Sequence, residues 1–325
     1  MKRVVFDTDI GIDDAMALLF LHAEPSVHIE AITTVAGNAS LDNVTRNALH
    51  VCERFAIDAP VFRGANGPVG PALTRDYADF VHGANGLGEI DFPEPERCAE
   101  KEYAADAIVR LAQRYPGELS LVAVGRLSNV AQALQRCPEL PELIGQLVVM
   151  GGVFFRRDHV GNVSPVAEAN IAGDPQAADL VFGSGIATRI VGLDVTQETI
   201  MDEAFIDELR RRAGKAGDFI HAITRFYFDF YSGLSGERAC PIHDSSAVAC
   251  LLAPQLYVHE RAPVRVVTEG IAMGQTIPGP QPERYATDAW ADRPCCEVGV
   301  EVDAAAVKAL YLDTLSAAFG GQPPL

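Results

Sequence analysis

Short apolar runs and longer amphipathic stretches take turns along this chain. Runs rich in aliphatic and β-branched residues occupy 3–6, 28–34, 119–124, 146–150 and 189–193. Between and after them, apolar residues recur at helical spacing near 13–22, 41–55, 102–114, 127–136, 174–183 and 203–213. The stretch from 216 to 253 carries a helical pattern twice, and strands near 264–267 and 297–302 and a helix at 304–318 follow. Such alternation predicts the α/β class: a mostly parallel open sheet flanked by helices. Three stretches, 63–100, 151–173 and 232–243, are rich in Gly, Pro and polar residues and read as loops. Long loops inside a compact domain are often functional. No repeat, low-complexity tract or linker divides the chain, so residues 1–325 are expected to form a single domain.

In open α/β sheets, ligands bind at the carboxyl ends of the strands. Polar residues cluster where these strands should end. The first strand runs into Asp7-Thr8-Asp9-Ile10-Gly11-Ile12-Asp13-Asp14, with four carboxylates in eight positions. Two carboxylates about 4 Å apart repel by roughly 4 kcal/mol at an effective dielectric near 20. Such a cluster either protonates or recruits a cation. Its ligand atoms are all hard oxygens, which suit Ca²⁺ or Mg²⁺ rather than zinc or copper. Helix capping alone would explain Asp13 and Asp14 but not Asp7 and Asp9. Later strands run into Gly37-Asn38, Gly125-Arg126-Leu127-Ser128-Asn129 and Gly151-Gly152, and further on lie Asn162, Glu168, Asn170 and His243-Asp244. Taken singly, these are ordinary turn, loop and cap residues.

Composition narrows the classes. Of 325 residues, 48% are apolar, enough for a sizeable core, and the net charge is −18. Nucleic-acid binding needs a basic face, and the longest basic run is Arg210-Arg211-Arg212, so no nucleic-acid partner is expected. No apolar run approaches the length of a membrane span, so no membrane partner is expected. Met1-Lys2-Arg3 leads into only three apolar residues, unlike a signal peptide. The seven cysteines include no C-x-x-C pair, and Cys295-Cys296 are adjacent, which favours reduced thiols and a cytoplasmic location.

Residues 7–14, 37–38, 150–152, 162–170 and 243–244 together resemble the nucleoside hydrolase family, the inosine-uridine preferring ribohydrolases. The resemblance runs in order over nearly the whole chain. It implies N-ribosyl hydrolysis of ribonucleosides to free base and ribose, in purine and pyrimidine salvage, with Ca²⁺ as cofactor and a homodimer or homotetramer. It further implies Asp9, Asp14, Asp244 and the carbonyl of Val124 as metal ligands, with Asp9 as general base. Asp13, Asn170 and Asp244 fit the positions that hold the ribose 2′- and 3′-hydroxyls, and Asn162 and Glu168 those that hold the 5′-hydroxyl. Asn38 and Met150 fit pocket-lining positions, His82 a loop over the base, Tyr227 and Tyr231 aromatics near the base, and His243 the acid that protonates a leaving purine. Asp7 is left with a supporting role. The chain departs from the family at Ile10, Ile12 and Ala169, none of them a ligand. Base contacts are expected in 75–90 and 225–243.

Two rivals have distinct signatures. Asp7-x-Asp9 after a strand also fits phosphatases of the haloacid dehalogenase type, with Mg²⁺, but Gly11 stands where that family has Thr or Val. A non-catalytic ribose-binding protein on the same fold would be expected to have lost an acid, and Asp9, Asp13, Asp14 and Asp244 are all present.

Overall fold

A computed structural model of the chain describes residues 1–73, 77–279 and 287–321. Residues 74–76 of the expected 63–100 loop, and 322–325 of the expected domain, lie outside the described residues. The first half runs β1 (Lys2–Thr8), α1 (Ile12–Ala23), β2 (Val27–Thr34), α2 (Leu41–Phe55), β3 (Val61–Arg63), α3 (Asp79–His82), α4 (Ala104–Arg114), β4 (Leu119–Ala123), α5 (Ser128–Arg136), α6 (Leu140–Leu143) and β5 (Ile144–Met150). The second half runs α7 (Ala169–Gly173), α8 (Pro175–Phe182), β6 (Thr188–Val191), α9 (Leu193–Thr196), β7 (Ile200–Asp202), α10 (Glu203–Arg212), α11 (Gly214–Ser235), β8 (Ala239–Pro241), α12 (His243–Leu252), β9 (Tyr257–Val266), β10 (Thr276–Pro278), β11 (Cys295–Val302) and α13 (Ala304–Phe319).

Among the described residues, nine strands form one sheet in the order β10-β9-β11-β6-β5-β4-β1-β2-β3. The pairs from β11 through β3 are parallel, while β9 pairs antiparallel with both β11 and β10. The chain leaves β1 toward β2 on one side and later returns to β4 on the other. The order therefore reverses at the β1/β4 seam, where a crevice opens at the carboxyl edge. Asp7 and Thr8 end β1 and Val124 follows β4 at that seam.

Alternation along the strands supplies two cores. Val4 and Phe6 of β1 pack with α1, α2, α11, α12 and α13 on one face, and Val5 packs with α4, α5 and α8 on the other. Helix α1 is buried on almost every side, as is α12, so both read as apolar all round rather than amphipathic. These two central helices pack together and begin at the same edge of the sheet. Their first turns carry Asp13-Asp14 and Asp244. Helix N-termini are electropositive, so each supports the acids of its own first turn.

The expected elements recur with small shifts, and the differences have physical causes. Strands β3, β7, β8 and β10 have three residues each, too few for a period of two to register. The strand expected at 264–267 is the end of a ten-residue β9, whose first half exposes Val258, Glu260 and Arg261 and hides its alternation. The run expected at 189–193 is a strand only to Val191, where α9 takes over. The loops expected at 63–100 and 151–173 contain the short helices α3 and α7, and that at 232–243 takes in the end of α11 and β8. No described helix is long and apolar enough to cross a membrane.

Candidate active site

A cavity of about 410 Å³ opens at the seam, within the size range of small-molecule pockets. Asp13, Asn38, Val124, Met150, Asn162, Glu168, Asn170 and Asp244 line it. His82, Tyr227, Tyr231 and His243 line it as well, joined by Phe230, Phe80, Leu234 and Gln197. Twelve of the site residues expected from the sequence therefore share one wall-to-wall space. Asp9 and Asp14 do not line it and are buried beneath.

Each buried acid is held by specific donors. Asp14 accepts from Thr8 Oγ1 at 2.6 Å, the Gly11 amide at 2.8 Å and Asn38 Nδ2 at 2.9 Å. Asp9 Oδ2 accepts the Asn38 amide at 2.8 Å, while its Oδ1 has no partner among the described residues. Tyr227 donates to Asp13 Oδ2 at 3.2 Å, and Asp13 Oδ1 is likewise without a hydrogen bond. Asn170 Nδ2 donates to the Val124 carbonyl at 2.7 Å. Glu168 is consumed differently: its two oxygens accept the amides of Gly152, Asn170 and Ile171, capping α7. Asp7 serves the frame, since its Oδ1 accepts from Thr33 on β2 and from Asn129 on α5.

The oxygens of Asp13, Asp14 and Asp244 lie within 4.8 Å of one another. Asp13, expected only as a ribose contact, thus joins the metal-competent group, and Asp9, with one oxygen turned to Asn38, is close enough to feel the charge of Asp14. At that spacing two ionised carboxylates repel by roughly 3–4 kcal/mol at an effective dielectric near 20. Burial and then the neighbouring acids raise the proton affinity of this group. Asp13 is pushed up to about 8, and Asp9 and Asp244 well above the usual carboxylate range. Buried Arg126 opposes the rise at Asp9. A set of crowded hard oxygens, two of them orphaned, fits an oxygen-seeking divalent cation. Asp9, Asp13, Asp14, Asp244 and the Val124 carbonyl are the groups that would hold it.

The two histidines are neutral in this setting. Burial, with His243 nearby, lowers His82 to about 3, and burial lowers His243 to about 4. His82 Nδ1 accepts the Ile12 amide at 3.2 Å, so its proton sits on Nε2 and its 3.9 Å approach to Asp13 is not an ion pair. His243 is held at both nitrogens, Nδ1 by Thr196 Oγ1 at 2.8 Å and Nε2 by the Tyr231 hydroxyl at 3.0 Å. Thr196 and Gln197 lie outside the polar clusters that the sequence singles out. Thr196 and Gln197 follow a strand end, the same cue that singled out Asn38, but lie in a turn of helix that reads as plain polar sequence.

Gly37 marks how closely the chain closes on Asp9. A Cβ there would lie 1.9 Å from Asp9 Oδ2. Gly37→Ala should therefore displace Asp9 and lower kcat about 100-fold, the scale of a misplacement near 1 Å. Wild-type kcat in a folded Gly37→Ala protein would show that Asp9 need not stand where it does.

A sequence model of the inosine-uridine preferring nucleoside hydrolases matches residues 4–309. The chain belongs to that family. Uridine nucleosidase 1 of Arabidopsis thaliana is 38% identical over 277 residues, covering 85% of this chain and 81% of that protein. The non-specific ribonucleoside hydrolase RihC of Escherichia coli is 39% identical over 279 residues, covering 85% and 88%. Among solved structures, the plant nucleoside hydrolase PpNRh1 matches with a TM-score of 0.93 at 34% identity, covering 97% of this chain and 99% of that one. A purine-preferring ribonucleoside hydrolase from Gardnerella vaginalis matches at 0.89 and 30% identity, covering 98% and 99%. This nucleoside hydrolase is thus an N-ribohydrolase, and neither the phosphatase nor the non-catalytic reading is favoured.

Proposed function

We propose that the enzyme cleaves uridine and inosine with Asp9 as general base, Ca²⁺ as cofactor and His243 as the source of the leaving-group proton. The observation that carries this reading is the unpartnered Oδ1 of Asp9 beside an acidic cluster whose Asp13 and Asp244 line the cavity. When bound, a divalent cation makes a neighbouring water more acidic. Asp9 Oδ1 takes the proton of the attacking water as its oxygen bonds to C1′ and the C1′–N bond breaks. Asp13, Asp244 and Asn170 accept or donate to the 2′- and 3′-hydroxyls, and their negative charge favours a cationic ribosyl group. Asn162 lies near the 5′-hydroxyl, with Glu168 fixing the turn that carries Asn170. Metal analysis of protein prepared without chelator should find Ca²⁺; Mg²⁺ alone, or no metal, overturns the cofactor.

His243 rests neutral, and its Nε2 is shared with the Tyr231 hydroxyl. Once His243 takes up a proton from solvent, the imidazolium passes it to the departing base through that hydroxyl, whose bond to Nε2 links the two rings, and returns to the neutral state. A purine departs more readily when protonated at N7. His243→Ala should slow inosine hydrolysis more than uridine hydrolysis, within the roughly 10²–10⁴-fold that a positioned acid supplies. Equal losses on both substrates would remove His243 from the role. The relatives named uridine nucleosidase and non-specific ribonucleoside hydrolase support both substrates. Buried cysteines such as Cys52, Cys240 and Cys250 fit a reducing cytoplasm, and a homodimer or homotetramer is the expected assembly.

A further inference from the structure

We infer that Gln197 reads the hydrogen-bonding edge of the leaving base and sets which bases the enzyme accepts. This rests on the hydrolase reading above and names a contact within it. Gln197 follows α9 directly. Its neighbour Thr196 bonds His243 Nδ1 at 2.8 Å, which pins this turn to the wall formed by His243 and Tyr231. Gln197 is partly buried and faces the cavity together with Tyr231, Phe230 and Leu234, a surface suited to a planar base.

The amide inventory singles this residue out. Each of the three cavity asparagines spends one side-chain atom on the protein itself: Asn38 Nδ2 on Asp14, Asn162 Oδ1 on the Ala169 amide, and Asn170 Nδ2 on the Val124 carbonyl. The ring nitrogens of His243 are both engaged, and the Tyr227 hydroxyl is given to Asp13. The Gln197 side chain has no hydrogen bond to any described residue, so both its oxygen and its NH₂ are open to a ligand. The acids below account for the ribose hydroxyls, and the wall that carries Gln197 is where the base remains to be held.

An amide presents one acceptor beside one donor. Uracil and hypoxanthine present a carbonyl beside a ring N–H, and cytosine and adenine an amino group beside a ring nitrogen. A half-turn of the Gln197 amide matches either pattern. The contact therefore binds the base edge while tolerating both oxo and amino bases. A carboxylate at the same place is an acceptor only and takes the single donor of either edge, leaving the carbonyl or ring nitrogen beside it unpaired, so it does not separate the two patterns.

The test measures kcat/KM for uridine, cytidine and p-nitrophenyl β-D-ribofuranoside, whose leaving group has no such edge. For Gln197→Leu, the ratio of uridine to the nitrophenyl riboside should fall about three- to ten-fold, the usual worth of one neutral hydrogen bond. For the same variant, the ratio of cytidine to the nitrophenyl riboside should fall by about the same factor, since the amide serves both edges. If both ratios stay within about twofold of wild type, Gln197 makes no base contact and the inference fails alone. If the wild-type protein releases ribose from none of the three, the hydrolase reading fails and takes the contact with it.

Discussion

Asp9→Ala protein should keep its fold and lose about 10²–10⁴-fold in kcat, the range that a positioned base contributes. The fold should survive because, among the described residues, Asp9 accepts one hydrogen bond from the frame, from the Asn38 amide. Removing a crowded, buried carboxylate also relieves repulsion from Asp14. Loss of the base acts on the transition state, so KM should change far less than kcat. Asp7→Ala provides the contrast. Asp7 ties β1 to β2 and α5, and its loss strands the buried donors of Thr33 and Asn129. That substitution should lower thermal stability while a folded fraction keeps near-normal kcat. Circular dichroism with steady-state kinetics on both variants separates the roles. A folded Asp9→Ala enzyme with wild-type kcat would remove Asp9 from the chemistry.

The second large effect is on stability. Chelation should lower Tm by several degrees at pH 8 and by much less at pH 5. The sign follows from the acids. Burial and the charge of Asp14 raise Asp13 to about 8 in the folded protein, against about 4 in the unfolded chain. Without metal, folding therefore takes up a proton across that window. The stabilisation this gives is fully present below about pH 4 and is lost as pH rises through about 8. A cation takes the place of the proton, so the advantage of the metal-loaded protein widens as pH rises. A ligand at about 100 times its Kd adds about 2.7 kcal/mol. Thermal melts with and without chelator at the two pH values measure this. An equal shift at both, or a larger one at pH 5, would place the metal elsewhere or nowhere.

The fold was legible because its logic is periodic. β1, β2, β4 and β5 are apolar on both faces, and α2 shows a clear stripe in Leu41, Val44, Ala48, Val51 and Phe55. What was hidden lacks a period, as in the three-residue strands β3, β7, β8 and β10. The site was legible where chemistry crowds in sequence, as at Asp9, Asp13 and Asp14. Asp244 was assigned through family resemblance, since 230 positions separate it from Asp14 and only the packing of α1 on α12 joins them. Thr196 and Gln197 went unseen because their use depends on α9 ending against His243, a placement no local pattern encodes. Glu168 was visible as a residue but not in its use, since the amides it accepts come from Gly152 as well as from its own helix.

The account stands or falls on one activity measurement: ribose released, as reducing sugar, from uridine and inosine by the purified protein before chelation, after chelation, and after Ca²⁺ is restored. The site as described predicts release of ribose, its loss on chelation, and its recovery with Ca²⁺. Ribose release that is indifferent to chelator would contradict the metal-assisted mechanism, and no ribose from either nucleoside would contradict the hydrolase itself.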